Sequence, residues 1–133
     1  MKRAKQLSLF LDNKPGVLSR VCFFLAKRKV NILGISVIDT HDHAVVRMVV
    51  DNPRTASHCL GSEGILVMEN DVLILDLNNK IGSLGAISRR LGAAKVNIAY
   101  SYCTVSPEQH HAELVLSVDD IKKAEKVLKS TGC

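Results

Sequence analysis

Asn13-Lys14-Pro15-Gly16-Val17-Leu18 returns later in the chain as Asn79-Lys80-Ile81-Gly82-Ser83-Leu84, and Val30-Asn31-Ile32 returns as Val96-Asn97-Ile98. Gly16 to Gly82 and Asn31 to Asn97 are both steps of 66 residues. An insertion between the two motifs in either copy would have given them different offsets, so the shared register marks one unit written twice. Solenoid and propeller repeats run to roughly 20–50 residues and need about three copies or more. Domain duplication is the better reading, with one copy in residues 1–70 and the other in residues 71–133.

A half of this size buries only about 60% of its unfolded surface and would be marginal alone. The copies are therefore expected to pack on each other, which makes any surface between them available as a composite site. Hydrophobic residues make up 47% of the chain and charged ones 23%, which excludes a disordered chain. No apolar run approaches the roughly 20 residues of a membrane helix, and Met1-Lys2-Arg3-Ala4-Lys5 is not followed by the apolar core of a secretion signal. The four cysteines, Cys22, Cys59, Cys103 and Cys133, form no Cys-x-x-Cys pair, which suits reduced thiols in the cytoplasm.

Each copy opens on alternating apolar residues, Leu7, Leu9 and Leu11 in one and Leu73, Leu75 and Leu77 in the other, the period of a half-buried strand. Leu18, Val21, Cys22 and Leu25 then follow helical spacing, with Leu84, Ile87 and Leu91 as counterparts, and Pro15 suits the first turn of that helix. Ile32 to Ile38 and Ala44 to Val50 read as a hairpin around Asp39 to His43. Its second version runs from Ile98 to Val105 and from Ala112 to Val118 around Ser106-Pro107-Glu108-Gln109.

Pro53 to Leu60 is a short helix stopping before Gly61, and Asp119 to Ser130 is its counterpart, capped by Asp119 or Asp120. Ile65 to Glu69 ends the first copy with a strand, whereas the second copy ends near Gly132 and lacks one. Strand, helix, strand, strand, helix, strand is the α+β ferredoxin-like order, and the expected architecture is two such units side by side.

Glycine recurs where the first strand turns into the first helix, and asparagine recurs before the second strand. A helix start presents unpaired N–H groups and a partial positive charge, so Gly16 and Gly82 would let a carboxylate approach the backbone. Asn31 and Asn97 each carry a donor and an acceptor, which suits the remaining polar groups of an amino acid. Pro-Gly in a turn and Asn before a strand are equally common as punctuation with no ligand, and residue types alone leave both readings open.

Leu9 to Asp12, the Asn13 to Leu18 turn and Val30-Asn31-Ile32 together resemble the ACT domain. Their return makes the chain similar to small free-standing proteins with two ACT units. The second copy departs at Ile81, where proline is usual, at Ser83, where the family has an apolar residue, and in its absent last strand. The resemblance implies a regulatory module that binds an amino acid between two ACT units, each turn facing the opposite unit's second strand. It carries a ligand-binding role onto Asn13, Lys14, Pro15, Gly16, Val17 and Leu18, onto Asn79, Lys80, Ile81, Gly82, Ser83 and Leu84, and onto Asn31, Ile32, Asn97 and Ile98.

Other chemistries fit less well. His41 and His43 fall in one hairpin turn, and His110 and His111 near the other, but no recognised metal-ligand spacing appears and no metal is expected. The net charge of +5 is spread over Lys27-Arg28-Lys29, Arg89-Arg90 and Lys122-Lys123. Ala44 to Val50 carries no aromatic ring for base stacking, so nucleic acid is not an expected partner. No nucleophile elbow or phosphate loop argues for an enzyme. Cys22 and Cys103 sit at periodic apolar positions that suit inert thiols. Tyr100 and Tyr102, which replace Gly34 and Ser36, mark a self-association surface, a ligand difference between sites, or packing.

The expected protein is a non-enzymatic, cytoplasmic regulator without cofactors, a homodimer that signals an amino acid to a metabolic enzyme in trans. The alternative is a scaffold that oligomerises without a small-molecule ligand.

Overall fold

The computed structural model describes residues 1–78, 80–106 and 111–129. Six strands and four helices follow in the order β1 (Lys2–Asp12), α1 (Val17–Lys27), β2 (Ile32–Thr40), β3 (His43–Val50), α2 (Pro53–Ser62), β4 (Leu66–Asn78), α3 (Ser83–Ala93), β5 (Ile98–Ser106), β6 (His111–Val118) and α4 (Ile121–Lys129). They form two compact units, Lys5–Asn70 in one and Asp71–Cys133 together with Met1–Ala4 in the other.

In the Lys5–Asn70 unit the strand order is β2-β3-β1-β4. β3 is antiparallel to both β1 and β2, pairing Leu9 with Val46 and Val46 with Val37. Leu7, Leu9, Leu11, Val46, Met48 and Val50 share the face covered by Val21 and Leu25 of α1 and Ala56 and Leu60 of α2. Leu7, Leu9, Leu25 and Leu60 are completely buried. Each such side chain contributes about 1.5–3 kcal/mol by leaving water, which is why two short helices suffice to hold the sheet. The other unit repeats the plan: Leu73, Leu75, Leu114 and Leu116 lie under Ile87 and Leu91 of α3 and Ala124 and Leu128 of α4.

The predicted α+β architecture and strand–helix order are found, and no strand follows α4 among the described residues. The fourth place in that unit's sheet goes to Lys2–Ala4, the start of β1, which neighbours β4. β1 is therefore longer than the alternating leucines mark. Met1 packs against the core of this unit. The Arg3 guanidinium donates to the Glu125 carboxylate of α4 and lies 4.0 Å from Asp71. The hydrogen bond to Glu125 raises the Arg3 pKa further, burial opposes it, and the charges of Glu125 and Asp71 reinforce it, so Arg3 stays charged throughout the physiological range.

Several local expectations are corrected. The strand expected from Ile65 to Glu69 begins at Leu66 and continues through the leucines from Leu73 as one strand, β4. The first hairpin turns on His41 and Asp42 alone, with Thr40 paired to His43 and His41 at a left-handed φ of 69°. α2 runs through Gly61 to Ser62, because the positive φ that ends it belongs to Gly64. Leu18 and Leu84 are 39% and 46% exposed, not buried. Val17 is the first-turn residue of α1 that packs on the core. The second hairpin turn, Asn79, His110 and the chain end after Lys129 lie outside the described residues.

Candidate functional site

Lys14-Pro15-Gly16-Val17 is a β-turn in which the Val17 N–H reaches the Lys14 carbonyl at 3.4 Å. Gly16 has φ 86° and ψ −10°, the third-position values of a type II turn, where proline is favoured one place earlier. Pro15 therefore shapes the turn and stands before the helix, not in its first turn. Lys80-Ile81-Gly82-Ser83 repeats the geometry, with Ser83 N–H to Lys80 O at 3.2 Å and Gly82 at φ 87°, ψ −3°. A Cβ added to either glycine would meet nothing within 4 Å. The glycines answer to backbone conformation alone, and the space in front of them is open.

The helix starts behind both turns have no side-chain cap. The Arg20 and Ala86 N–H groups bond back to the Gly16 and Gly82 carbonyls. Among the described residues, no acceptor meets the N–H groups of Leu18 and Ser19, or of Leu84 and Gly85. Two adjacent outward-facing amides at a helix start suit a carboxylate. Exposed Leu18 flanks one turn, and exposed Ile81 and Leu84 flank the other, giving each a partly apolar rim. Lys14 and Lys80 are exposed beside them.

Asn13 is already engaged. Its side-chain amide donates to Asp39 Oδ1 at 2.8 Å and to the His41 carbonyl at 3.0 Å, and its backbone N–H donates to the Asp42 carbonyl at 3.0 Å. This residue ties the turn to the β2–β3 hairpin.

Asn31 and Asn97 are held identically. The Asn31 N–H donates to Asp51 Oδ1 at 2.9 Å while the Asp51 N–H returns to the Asn31 carbonyl at 3.1 Å; Asn97 and Asp119 repeat both bonds at the same lengths. These bonds use backbone atoms of the asparagines, so both exposed side-chain amides remain outside them. A bulge follows each asparagine, between Ile32 and Gly34 and between Ile98 and Tyr100. Bulges re-aim nearby side chains and concentrate beside functional sites. Ile32 and Ile98 pack against their respective cores.

Asp51 and Asp119 are absent from the sequence-based set because they stand 68 residues apart, the second hairpin being two residues longer. A search at the fixed step of 66 passes them by. Lys29 and Lys95 do keep that step, and both take a left-handed φ, 57° and 60°.

Within one unit the turn and the asparagine are not together. They flank the two ends of an 11-residue helix, which at 1.5 Å per residue separates them by about 16 Å. A single amino acid cannot span that distance, so no unit by itself offers both the turn and the asparagine to one such ligand. An open groove of about 270 Å³ beside the first turn is lined by Asp12, Val17, Arg20, Phe24 and Gly64 among others. It includes Val17 but neither Gly16 nor Asn31. The Arg20 guanidinium lies 5.6 Å from the centre of the Phe24 ring there.

The family model for an ACT domain pair matches residues 2–131. The crystal structure of protein BT0572 from Bacteroides thetaiotaomicron is 31% identical, with 97% of this chain and 88% of that one covered at a TM-score of 0.92. The regulatory subunit of aspartate kinase from Thermus thermophilus, ligand free, is 15% identical over 98% of this chain and 95% of that one, at 0.68. The same subunit from Thermus flavus is 16% identical over 97% and 90%, at 0.69. No functionally curated protein matches the sequence. The duplicated turns, the duplicated asparagines and the match over nearly the whole length place this chain in the ACT domain family, as a pair of ACT units.

Proposed function

We propose that this chain is a ligand-binding regulatory protein whose ligand is an amino acid, held between ACT units, and whose effect passes to a metabolic enzyme in trans. What supports this reading is the repetition of the turn and the asparagine, which within one unit stand too far apart for one amino acid to touch both. The carboxylate would sit on the N–H groups following Gly16 or Gly82, and the remaining polar groups on the side chain of Asn97 or Asn31. A ligand bridging two units favours the arrangement that brings turn and asparagine together, and so shifts which conformation is populated. Solved regulatory subunits of aspartate kinase share the fold, which supports an enzyme of amino-acid metabolism as the class of partner. Cys22, Cys59 and Cys103 are free thiols, which suits action in the cytoplasm.

The test is thermal unfolding with individual amino acids. A ligand at about 100 times its dissociation constant stabilises the folded state by about 2.7 kcal/mol. One or a few amino acids are expected to raise the melting temperature, and Asn31→Ala with Asn97→Ala to remove the shift. A flat response across all twenty would sink this reading and favour the ligand-free scaffold.

A further inference from the structure

The groove beside the first turn is built from residues that only one copy of the repeat carries. Val17, Ile65 and Phe24 line it and are half-buried, so its walls are apolar and still reachable. Asp12 and Arg20 are its exposed, charged members. Among the described residues, neither the Asp12 carboxylate nor the Arg20 guanidinium forms an ion pair. The Phe24 ring holds the guanidinium but accepts no conventional hydrogen bond from it, which leaves the forked donors open to a carboxylate. The Cys59 thiol donates to the Phe24 carbonyl at 3.7 Å and so ties this turn of α1 to α2. At the rim, a Cβ on Gly64 would meet nothing within 4 Å.

The second copy does not repeat these residues. At the same step of 66, Ser83 stands for Val17, Ala86 for Arg20 and Arg90 for Phe24. Arg90 donates instead to the Val127 carbonyl of α4 at 2.7 Å. Both copies share the turn geometry, whereas the apolar wall, the ring and the guanidinium occur in one. The fold is built with either set of residues, which frees the first set to serve ligand choice.

We infer that this groove receives the side chain of the amino acid held at the first turn, and that the ligand there has a large apolar side chain, as leucine, methionine and phenylalanine do. This rests on the amino-acid reading above and names the class of ligand. The outward N–H groups of Leu18 and Ser19 lie between Val17 and Arg20, within about one 5.4 Å turn of helix. A carboxylate on those amides has the Arg20 fork beside it, and an adjoining ammonium finds the Asp12 carboxylate. The side chain then leaves water against Val17, Ile65 and Phe24. The groove's volume of about 270 Å³ falls just below the roughly 300–1,000 Å³ of sites for drug-sized ligands, which suits one amino-acid side chain. A polar side chain would lose its water against these walls without an equivalent return. Arg20 and Phe24 are thus specificity-determining residues of the first turn, and Ala86 and Arg90 give the second turn a different preference.

Titration calorimetry of the full chain with each of the common amino acids tests this. Leucine, methionine or phenylalanine should bind at least about ten-fold more tightly than alanine, since even one methylene in an apolar pocket counts to that order. Arg20→Ala, at an exposed position, should weaken that binding by about ten-fold. Phe24→Arg, which installs the second copy's residue, should erase the advantage of large side chains over alanine. In the wild type the Val17 and Ile65 methyl resonances should shift as leucine is added, a readout that holds even where a variant fails to fold. Tightest binding of a polar or charged amino acid, unmoved Val17 and Ile65 methyls at saturating leucine, or an unchanged preference in folded Phe24→Arg would overturn this inference and leave the amino-acid reading standing. Binding of none of the amino acids would end both.

Discussion

Two lysines hold a conformation that glycine usually takes. α1 ends with Val30 N–H on the Leu25 carbonyl and Lys29 N–H on the Ala26 carbonyl, both at 3.0 Å, and α3 ends with the same pair through Val96 and Lys95. This closure needs a left-handed residue before the final valine, and a non-glycine residue there costs about 1 kcal/mol or more. Gly64 fills the corresponding place after α2 at φ 78°. Lys29→Gly and Lys95→Gly are each expected to stabilise the fold by about 1 kcal/mol, read as a higher urea midpoint at unchanged m-value. Gly16→Ala should do the reverse by a similar amount, because φ 86° strains alanine although its Cβ meets nothing. That Cβ would stand where the ligand's carboxylate is proposed to approach, so its loss of binding should exceed its loss of stability. Titration calorimetry with the stabilising amino acid checks this.

At the level of elements, period and spacing made most of the fold readable. Strand alternation at Leu7, Leu9 and Leu11 matches the buried face, and Val21, Leu25, Ile87 and Leu91 are buried as their spacing predicts. Leu18 was misleading because Val17 and Leu18 lie only 100° apart around the helix, and periodicity cannot choose which turns inward; Leu84 follows Ser83, so the same account does not extend to it. The extent of β1 and β4 was hidden too, since Lys2, Arg3, Asn70 and Asp71 carry no strand-like alternation and are fixed by neighbours distant in sequence.

The paired turns and asparagines of the candidate site were visible from repetition, whereas the aspartates gripping the asparagines were shifted by the longer hairpin. Caps were partly legible. Asp120 alone caps α4, accepting from the Lys123 N–H at 3.1 Å, while Asp119 serves Asn97. Asp120→Ala should cost about 1 kcal/mol of stability. Asp119→Ala should leave the α4 cap intact and instead loosen Asn97, read as faster amide exchange at that residue.

On the scale of the whole molecule, the chain's first residues belong with its last. Met1 packs on the second core and Arg3 binds Glu125 of α4. Deleting Met1–Ala4 is therefore expected to speed hydrogen exchange in residues 71–78 and in α4, more than 60 positions away in sequence, while the amides of Leu9 and Val46 keep their protection. Equal loosening of both units, or of neither, would contradict the assignment of that segment.

β1 and β4 each run unbroken from one compact unit into the other, so no stretch of loose chain marks where the modules meet. Severing the gene at the repeat boundary would halve a strand rather than free a module, and would strip the later fragment of its sheet's outermost rung. Whoever wishes to exchange one half for another must choose graft points that leave both of these strands whole.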